Sequence, residues 1–141
     1  METITDLMCN EHIRIYHMLN ELDEHKDKKD IMHFFDIFKW NLEKHFFVEE
    51  KAIVALYKDI TGEEINDFFD VMKEHQEIMK LVRQVSNNIK SSLKIDVDEL
   101  KQSLDVHARF ENEVFYPKLD EKLNQLQKNF IIERAKEVIR G

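Results

Sequence analysis

Apolar side chains recur every three or four residues through most of the chain, which is the spacing of one face of an α-helix. Four stretches show such a stripe, and polar or turn-forming residues separate them. The first is predicted as a helix from about Thr3 to Leu22, with Thr3 and Asp6 as a capping pair. Its inward-facing residues are Ile4, Met8, His12, Ile15, Leu19 and Leu22.

The second and third stripes predict two further helices. The second follows the polar linker EHKDKKD, and the segment DITG ends it. Its inward-facing residues are Ile31, Phe35, Phe38, Leu42, His45, Glu49, Ala52 and Leu56. Thr61 and Glu64 form a predicted capping box that opens the third helix. The inward-facing residues of that helix are Ile65, Phe68, Met72, His75, Met79 and Val82.

The third helix is predicted to fade between Asn87 and Ser92, because Asn and Ser favour turns. Asp96 and Glu99 start a fourth helix, and Pro117 is expected to stop it. The inward-facing residues of this helix are Val97, Leu100, Leu104, His107, Glu111 and Val114. The remaining residues predict a short fifth helix, whose expected packing residues are Leu126, Phe130 and Val138.

Long helices with short linkers predict a single all-α domain over residues 1–141, an up-down-up-down four-helix bundle with a short C-terminal fifth helix. Residues on antiparallel neighbours lie at one depth if their midpoint falls in the connecting turn. The midpoints of His12 with His45, His45 with His75, and His75 with His107 fall in the EHKDKKD, DITG and Ser91–Ser92 turns. The four histidines should therefore form one layer, with Glu49 and Glu111 one turn away.

Composition agrees with long helices, because Gly (2) and Pro (1) are scarce. The net charge of −8 and the absence of a Lys/Arg block argue against nucleic acid or an anionic membrane as a partner. The opening residues do not resemble a signal peptide, and no apolar run approaches the ~18 residues of a membrane span. Cys9 is the only cysteine, so no internal disulfide can form. These observations predict a protein of the reducing cytoplasm.

A single histidine on an apolar stripe is more often a core residue bonded to a carbonyl than a ligand. Four buried imidazoles and two buried carboxylates in one layer have a large desolvation cost, however, and buried charges persist when they are paired or bound to metal. Three histidines lie off the stripes and are predicted to be solvated: His17, His25 and His33. Four aromatic residues are predicted to serve packing instead of a cofactor site: Phe34, Trp40, Phe46 and Phe47.

The candidate metal ligands are His12, His45, Glu49, His75, His107 and Glu111. This set exceeds one tetrahedral zinc site and suits a pair of first-row ions bridged by the two carboxylates. Iron or manganese fits nitrogen and oxygen ligands, although zinc and cobalt are not excluded. A ferritin-like site would need Glu-x-x-His pairs, which these histidines lack. A bis-histidine haem would leave both glutamates unexplained.

The chain resembles the hemerythrin-like (HHE cation-binding) domain over essentially residues 5–120. The resemblance rests on EHIRI at His12, HFFVEE at His45, KEHQEI at His75 and HARFENEVFYP at His107. It implies a non-haem di-iron centre with an oxo or hydroxo bridge, for which manganese or zinc could substitute. In the implied ligand set His12 and His45 bind one iron, His75 and His107 bind the other, and Glu49 and Glu111 bridge them.

The chain departs from the oxygen-carrying hemerythrins in two ways. Those proteins place a fifth histidine where this chain has Met79, and their last carboxylate follows its histidine by five residues, whereas Glu111 follows His107 by four. Both features resemble the bacterial four-histidine, two-glutamate branch that includes proteins for iron-centre repair. Met79 is expected to act as a hydrophobic lid over an open coordination position.

These expectations favour a di-iron protein that binds or reduces oxygen, nitric oxide or peroxide, in oxidative or nitrosative stress defence or iron-centre repair. One alternative is an oxygen or iron sensor or store without turnover. The other is a structural bundle without metal. The electron donor and any protein partner are not identified by the sequence.

Overall fold

The structure, a computed structural model, describes residues 1–25, 27–91 and 94–141, and within these ranges the regular structure is entirely helical. The predicted turns that include Lys26 or Ser92 therefore fall partly outside the described residues. The α-helices are α1 (Ile4–Asn20), α2 (Lys28–Phe47), α3 (Ala55–Thr61), α4 (Phe68–Lys90), α5 (Asp98–Phe110), α6 (Tyr116–Lys122) and α7 (Gln125–Arg140). A 3₁₀ turn spans Glu21–Glu24, and two π-helical segments span Val48–Val54 and Glu111–Phe115.

Helices α1, α2, α4 and α5 form the four walls of the bundle. Helix α1 packs against α2 and α5, α2 packs against α4, and α4 packs against α5, so each wall has two neighbours. Helix α7 covers the π segment Val48–Val54 and α3. The predicted all-α bundle with a C-terminal helix is confirmed. None of the helices in the described ranges is long and apolar enough to cross a membrane.

Several predicted helix boundaries are confirmed, and two are wrong. Thr3 and Asp6 form the expected capping box. Thr61 does not open a helix with Glu64, because α3 ends at Thr61 and Gly62 follows it with a left-handed φ of 70°. Pro117 does not stop the fourth helix, since the chain continues through α6 to Lys122. A proline in the first turn of α6, directly after a change of hydrogen-bond register, removes little from the helix ladder.

The expected packing face of the last helix is also wrong in part. Leu126 and Phe130 are exposed, and Val138 is partly buried. The buried residues of α7 are Ile131, Ile132 and Ala135. At about 100° per residue, the stripe through Ile131 and Ala135 leaves Leu126 and Phe130 on another side of the helix. Of the four predicted packing aromatics, Phe46 is buried and Phe34 is half-buried, whereas Trp40 and Phe47 are exposed.

Two apolar clusters fill the bundle, one toward each end. The first includes Met8, Ile53, Val71 and Leu119, with their neighbours from α7. The second includes Ile15, Leu42, Ile78 and Leu104. Along α1, along α4, and along α5 with the π segment after it, the candidate ligands fall between buried residues of the two clusters. Along α2 and the π segment after it, Leu42 and Phe46 of the second cluster flank His45, and Val48 and Ala52 of the first cluster flank Glu49. The polar layer is therefore enclosed by apolar packing above and below.

Candidate metal centre

The six candidate side chains lie together in the interior of the bundle. Glu111 Oε1 is 3.1 Å from His12 Nε2 and 2.9 Å from His107 Nε2. Glu49 Oε2 is 3.9 Å from His45 Nε2 and 3.6 Å from His75 Nε2. Each carboxylate thus lies beside two histidines from different walls of the bundle.

The histidines form two pairs. The ring centroids of His12 and His45 are 4.8 Å apart, and those of His75 and His107 are 4.9 Å apart. Ligand-type atoms converge within 4.8 Å in two groups that share Glu111. The groups are His12, His45 and Glu111, and Glu49, His75, His107 and Glu111.

A π-helical segment begins just after each of two histidines. His45 lies in the last turn of α2, and Glu49 is in the first turn of the segment Val48–Val54. His107 lies in the last turn of α5, and Glu111 opens the second segment. Such segments change the hydrogen-bond register within a helix and are frequent at functional sites. The wider turn after Glu111 buries Phe115 in place of the predicted Val114.

Burial of these polar and charged side chains would cost free energy of folding if no cation were bound to them. Glu49 and Glu111 are 0% exposed, and three of the four histidines are buried. All four histidine Nε2 atoms, Glu49 Oε1 and both Glu111 oxygens lack a hydrogen-bond partner of regular geometry. Buried groups of this kind persist when they are paired or coordinate metal, so the donor set fits bound metal ions.

The outward Nδ1 atoms contact a second set of side chains. His107 Nδ1 is 2.5 Å from Glu74 Oε2, and His75 Nδ1 is 3.3 Å from Glu50 Oε2. His12 Nδ1 is 2.9 Å from Asn112 Oδ1.

Two further features of the layer concern His45 and Glu49. His45 Nδ1 is buried and has no hydrogen-bond partner among the residues described. The hydroxyl of Tyr116, which is fully buried, donates a 2.9 Å hydrogen bond to Glu49 Oε2.

Burial and neighbouring charge shift the pKa values of this layer in opposite directions. Burial lowers the pKa of His75 to about 3 and that of His45 well below its usual value. Burial and the charge of Glu111 raise the pKa of Glu49 well above its usual range. Burial would also raise the pKa of Glu111, but its interactions with Glu49, His107 and His12 outweigh it and hold the pKa well below.

Neutral His45 and His75 side chains leave their Nε2 lone pairs free for a metal at pH 7. Burial lowers the pKa of His107, but its interactions with Glu111 and Glu74 outweigh burial and raise the pKa. Because a ligand nitrogen must be unprotonated, this raised pKa means that a proton competes with metal for His107 as the pH falls.

A cleft of about 360 Å³ leads from the surface to one side of this layer. Three histidines, His12, His45 and His107, form part of its wall. Apolar side chains such as Leu42 and Leu104 also line the cleft, together with polar groups such as Arg109 and Asn112. The cleft gives a small molecule a route to the imidazoles.

Comparison with models of known protein families gives a match over most of the chain. A model of the hemerythrin HHE cation-binding domain matches residues 3–119. The chain belongs to this family. No curated protein and no solved structure matches the chain at a significant level. Members of a cation-binding family bind metal ions, and the His/Glu cluster of this hemerythrin domain is suited to hold them.

The sequence motifs located the six inward side chains of this hemerythrin domain but not the residues behind them. Glu50, Glu74, Asn112 and Tyr116 were not predicted as part of the site. Glu50 lies in HFFVEE and Glu74 directly precedes His75, yet Glu74 contacts His107 on another helix. No local pattern indicates such a cross-helix partner.

Met79 lies half-buried beside the hemerythrin site. It lines a cleft between α2 and α4 together with Phe46, Glu50 and His75. The fully inward residue of this turn is Ile78, which is buried in the second apolar cluster. The expected role of Met79 as a lid stays a prediction.

The three histidines outside the layer serve as controls. His17 and His33 are exposed, and His25 stacks on Phe34 with ring centroids 4.2 Å apart. We expect His17→Ala, His25→Ala and His33→Ala each to leave the metal content per chain unchanged, because none of these side chains reaches the layer. Elemental analysis of the purified variants measures this, and loss of metal from the His17 variant would contradict the placement of α1.

Proposed function

We propose that this hemerythrin domain holds two non-haem iron ions and uses them to bind or reduce oxygen, nitric oxide or peroxide. His12 and His45 would bind one ion, and His75 and His107 the other. Glu49 and Glu111 would bridge the pair. The observation that supports this most directly is the contact of each carboxylate with one histidine from each pair.

The chemistry of the donor set is compatible with iron. Imidazole nitrogens and carboxylate oxygens suit iron and manganese, and zinc can occupy similar sites. A pair of ferrous ions supplies two electrons to a bound small molecule when it is oxidised to the ferric pair. Reversible oxygen carriage is a weaker proposal, because Met79 offers only a soft thioether where carriers have a histidine.

Side chains of the protein would hold the two ions and shield them from bulk water. The four imidazoles and two carboxylates fix the metal positions, and Tyr116 orients Glu49 through its hydroxyl. The apolar clusters keep bulk water from the layer, which strengthens electrostatic interactions within it. The cleft beside His12 and His45 admits the small molecule.

The proposed cellular setting follows from charge and composition. A net charge of −8 supports a role without nucleic acid or an anionic membrane surface. The single half-buried Cys9 is compatible with a reducing cytoplasm. Within that setting, a role in oxidative or nitrosative stress defence or in iron-centre repair is the proposal that suits the chemistry.

The decisive measurement is the metal content of the purified protein. We expect about two iron ions per chain, since two histidine pairs and two bridging carboxylates match a two-metal site. Elemental analysis with an optical spectrum before and after exposure of the reduced protein to air measures this. Stoichiometric binding of a single ion by the intact ligand set would contradict the proposal. A chain that binds no metal would be a structural bundle.

Reaction with each small molecule separates turnover from sensing. The ferrous protein is mixed anaerobically with oxygen, nitric oxide or hydrogen peroxide, and repeated cycles are followed with an external electron donor. Consumption that continues beyond what the two ions can bind, for as long as the donor supplies electrons, supports reduction. Binding of one equivalent without further consumption would instead support a sensor or store.

A further inference from the structure

The two metal positions differ in what stands behind their histidines. Both histidines of the His75–His107 pair face a carboxylate through Nδ1, at 3.3 and 2.5 Å. In the other pair, His12 faces the neutral amide of Asn112 at 2.9 Å. His45 Nδ1 has no hydrogen-bond partner in the described part of the chain.

A partner on Nδ1 has two effects on an imidazole ligand. It keeps the proton on Nδ1, so the Nε2 lone pair points at the metal, and it fixes the ring plane. A carboxylate partner also raises the basicity of the ligand, whereas a neutral amide does so less. Loss of such a partner typically reduces metal affinity by about 10–100-fold.

Two further observations distinguish the His75–His107 pair. The ring of His75 stacks on Phe46 with centroids 3.9 Å apart, which fixes its plane. Four ligand residues converge around this pair, namely Glu49, His75, His107 and Glu111. Among the residues that the structure describes, three converge around the other pair, namely His12, His45 and Glu111. The His75–His107 position is therefore the more completely assembled one.

We propose that the two metal positions are unequal and that the His75–His107 position binds its ion more tightly and fills first, with Glu74 as its main positioning residue. This rests on the proposed two-metal function. The His12–His45 position is the weaker one, and both of its histidines line the cleft. The ion there exchanges more readily with the solution.

Stepwise loading of the metal-free protein tests the proposal. Ferrous iron, and separately cobalt(II), is added anaerobically in competition with a chelator of known affinity. We expect two binding events whose dissociation constants differ by at least about 10-fold. His12→Ala should remove the weaker binding event and keep the tighter one. His107→Ala should remove the tighter binding event and keep the weaker one.

Glu74→Gln is the specific variant, and Glu77→Gln is its matched control. Glu77 is exposed on the same helix, so its replacement removes an equal charge without touching a ligand. We expect Glu74→Gln to weaken the tighter event by about 10–100-fold and Glu77→Gln to change neither event. Helix content by circular dichroism verifies that each variant folds.

Asn112→Asp tests whether a carboxylate partner on Nδ1 increases the affinity of a position for metal. This substitution gives His12 a carboxylate partner, so the weaker event should tighten and the gap between the two events should narrow. A purely structural role for these side chains would not produce that gain.

The outcomes separate this inference from the proposed function. Three results would overturn the inference and leave the two-metal function intact. The two binding events could have equal affinity, Glu74→Gln could leave the tighter event unchanged, or His12→Ala could remove the tighter event. Failure to bind two ions at all would overturn the proposed function itself.

Discussion

Replacement of Glu111 by Ala should reduce the metal content from about two ions per chain to almost none. Glu111 Oε1 lies within 3.1 Å of His12 Nε2 and within 2.9 Å of His107 Nε2, so it contacts one histidine of each pair. If Glu111 bridges the two ions as proposed, its removal takes a donor from both ions and also removes the negative charge that offsets their repulsion. Elemental analysis after anaerobic loading with ferrous iron measures the result.

Glu113 provides the matched control for this experiment. It is an exposed carboxylate in the same π segment, so Glu113→Ala tests the loss of charge and of local helix contacts without loss of a ligand. It should keep both ions. Glu49→Ala is expected to behave as Glu111→Ala does, because Glu49 lies near His45 and His75. Retention of one full ion by the Glu111 variant would show that this carboxylate does not bridge.

The metal-free protein should lose much of its stability as the pH falls from 6.5 toward 4. Burial lowers the pKa of His75 in the folded state to about 3, compared with 6.5 for the free side chain. The unfolded chain therefore binds more protons than the folded chain between these values, and the free energy of unfolding falls as the solution becomes more acidic. At about 1.4 kcal/mol per pKa unit, His75 alone contributes about 3 kcal/mol between pH 6.5 and 4.

His45 and Glu111 act in the same direction as His75, whereas Glu49 and His107 act in the opposite direction. The pKa of buried His45 is also lowered, so its contribution is likewise lost as the pH falls below 6.5. The pKa of Glu111 lies below its usual value, so its contribution is present above about 4.5 and is lost below it. The raised pKa values of Glu49 and His107 have the opposite sign, because protonation of these groups favours the folded state as the pH falls.

Urea unfolding of the metal-free protein at several pH values measures this dependence. His75→Gln should make the free energy of unfolding less dependent on pH. The variant lacks an imidazole that must be neutral in the folded state. His17→Ala is the control variant, because His17 is exposed and does not reach the layer. A free energy of unfolding that is constant between pH 6.5 and 4 would mean that these imidazoles are not desolvated in solution.

The location of the six inward side chains could be predicted because it depends on regular geometry. A helix repeats every 3.6 residues, so His45 and Glu49 must share a face. Antiparallel walls joined by short connections place residues at equal distances from a turn at the same depth, which brought His12, His45, His75 and His107 together. Both placements follow from the sequence numbers and the helical period.

Local departures from regular α-helix geometry could not be predicted in this way. The π segments after His45 and His107 alter the spacing locally, so the stripe passes from Glu111 to Phe115 instead of Val114. The same change of register lets the helix continue past Pro117. A constant period of 3.6 does not anticipate either result.

The helical walls of this protein and its inward-facing histidines and glutamates follow from short-range periodicity in the sequence. The outer partners of the imidazoles, and the lack of one at His45 among the described residues, follow from the assembled fold. Glu74 meets His107 across 33 positions, and Asn112 meets His12 across 100. Such contacts depend on the rotation of one helix against another, and that rotation is set by the packing of the whole bundle. The proposed difference between the two metal positions is for this reason a property of the assembled fold.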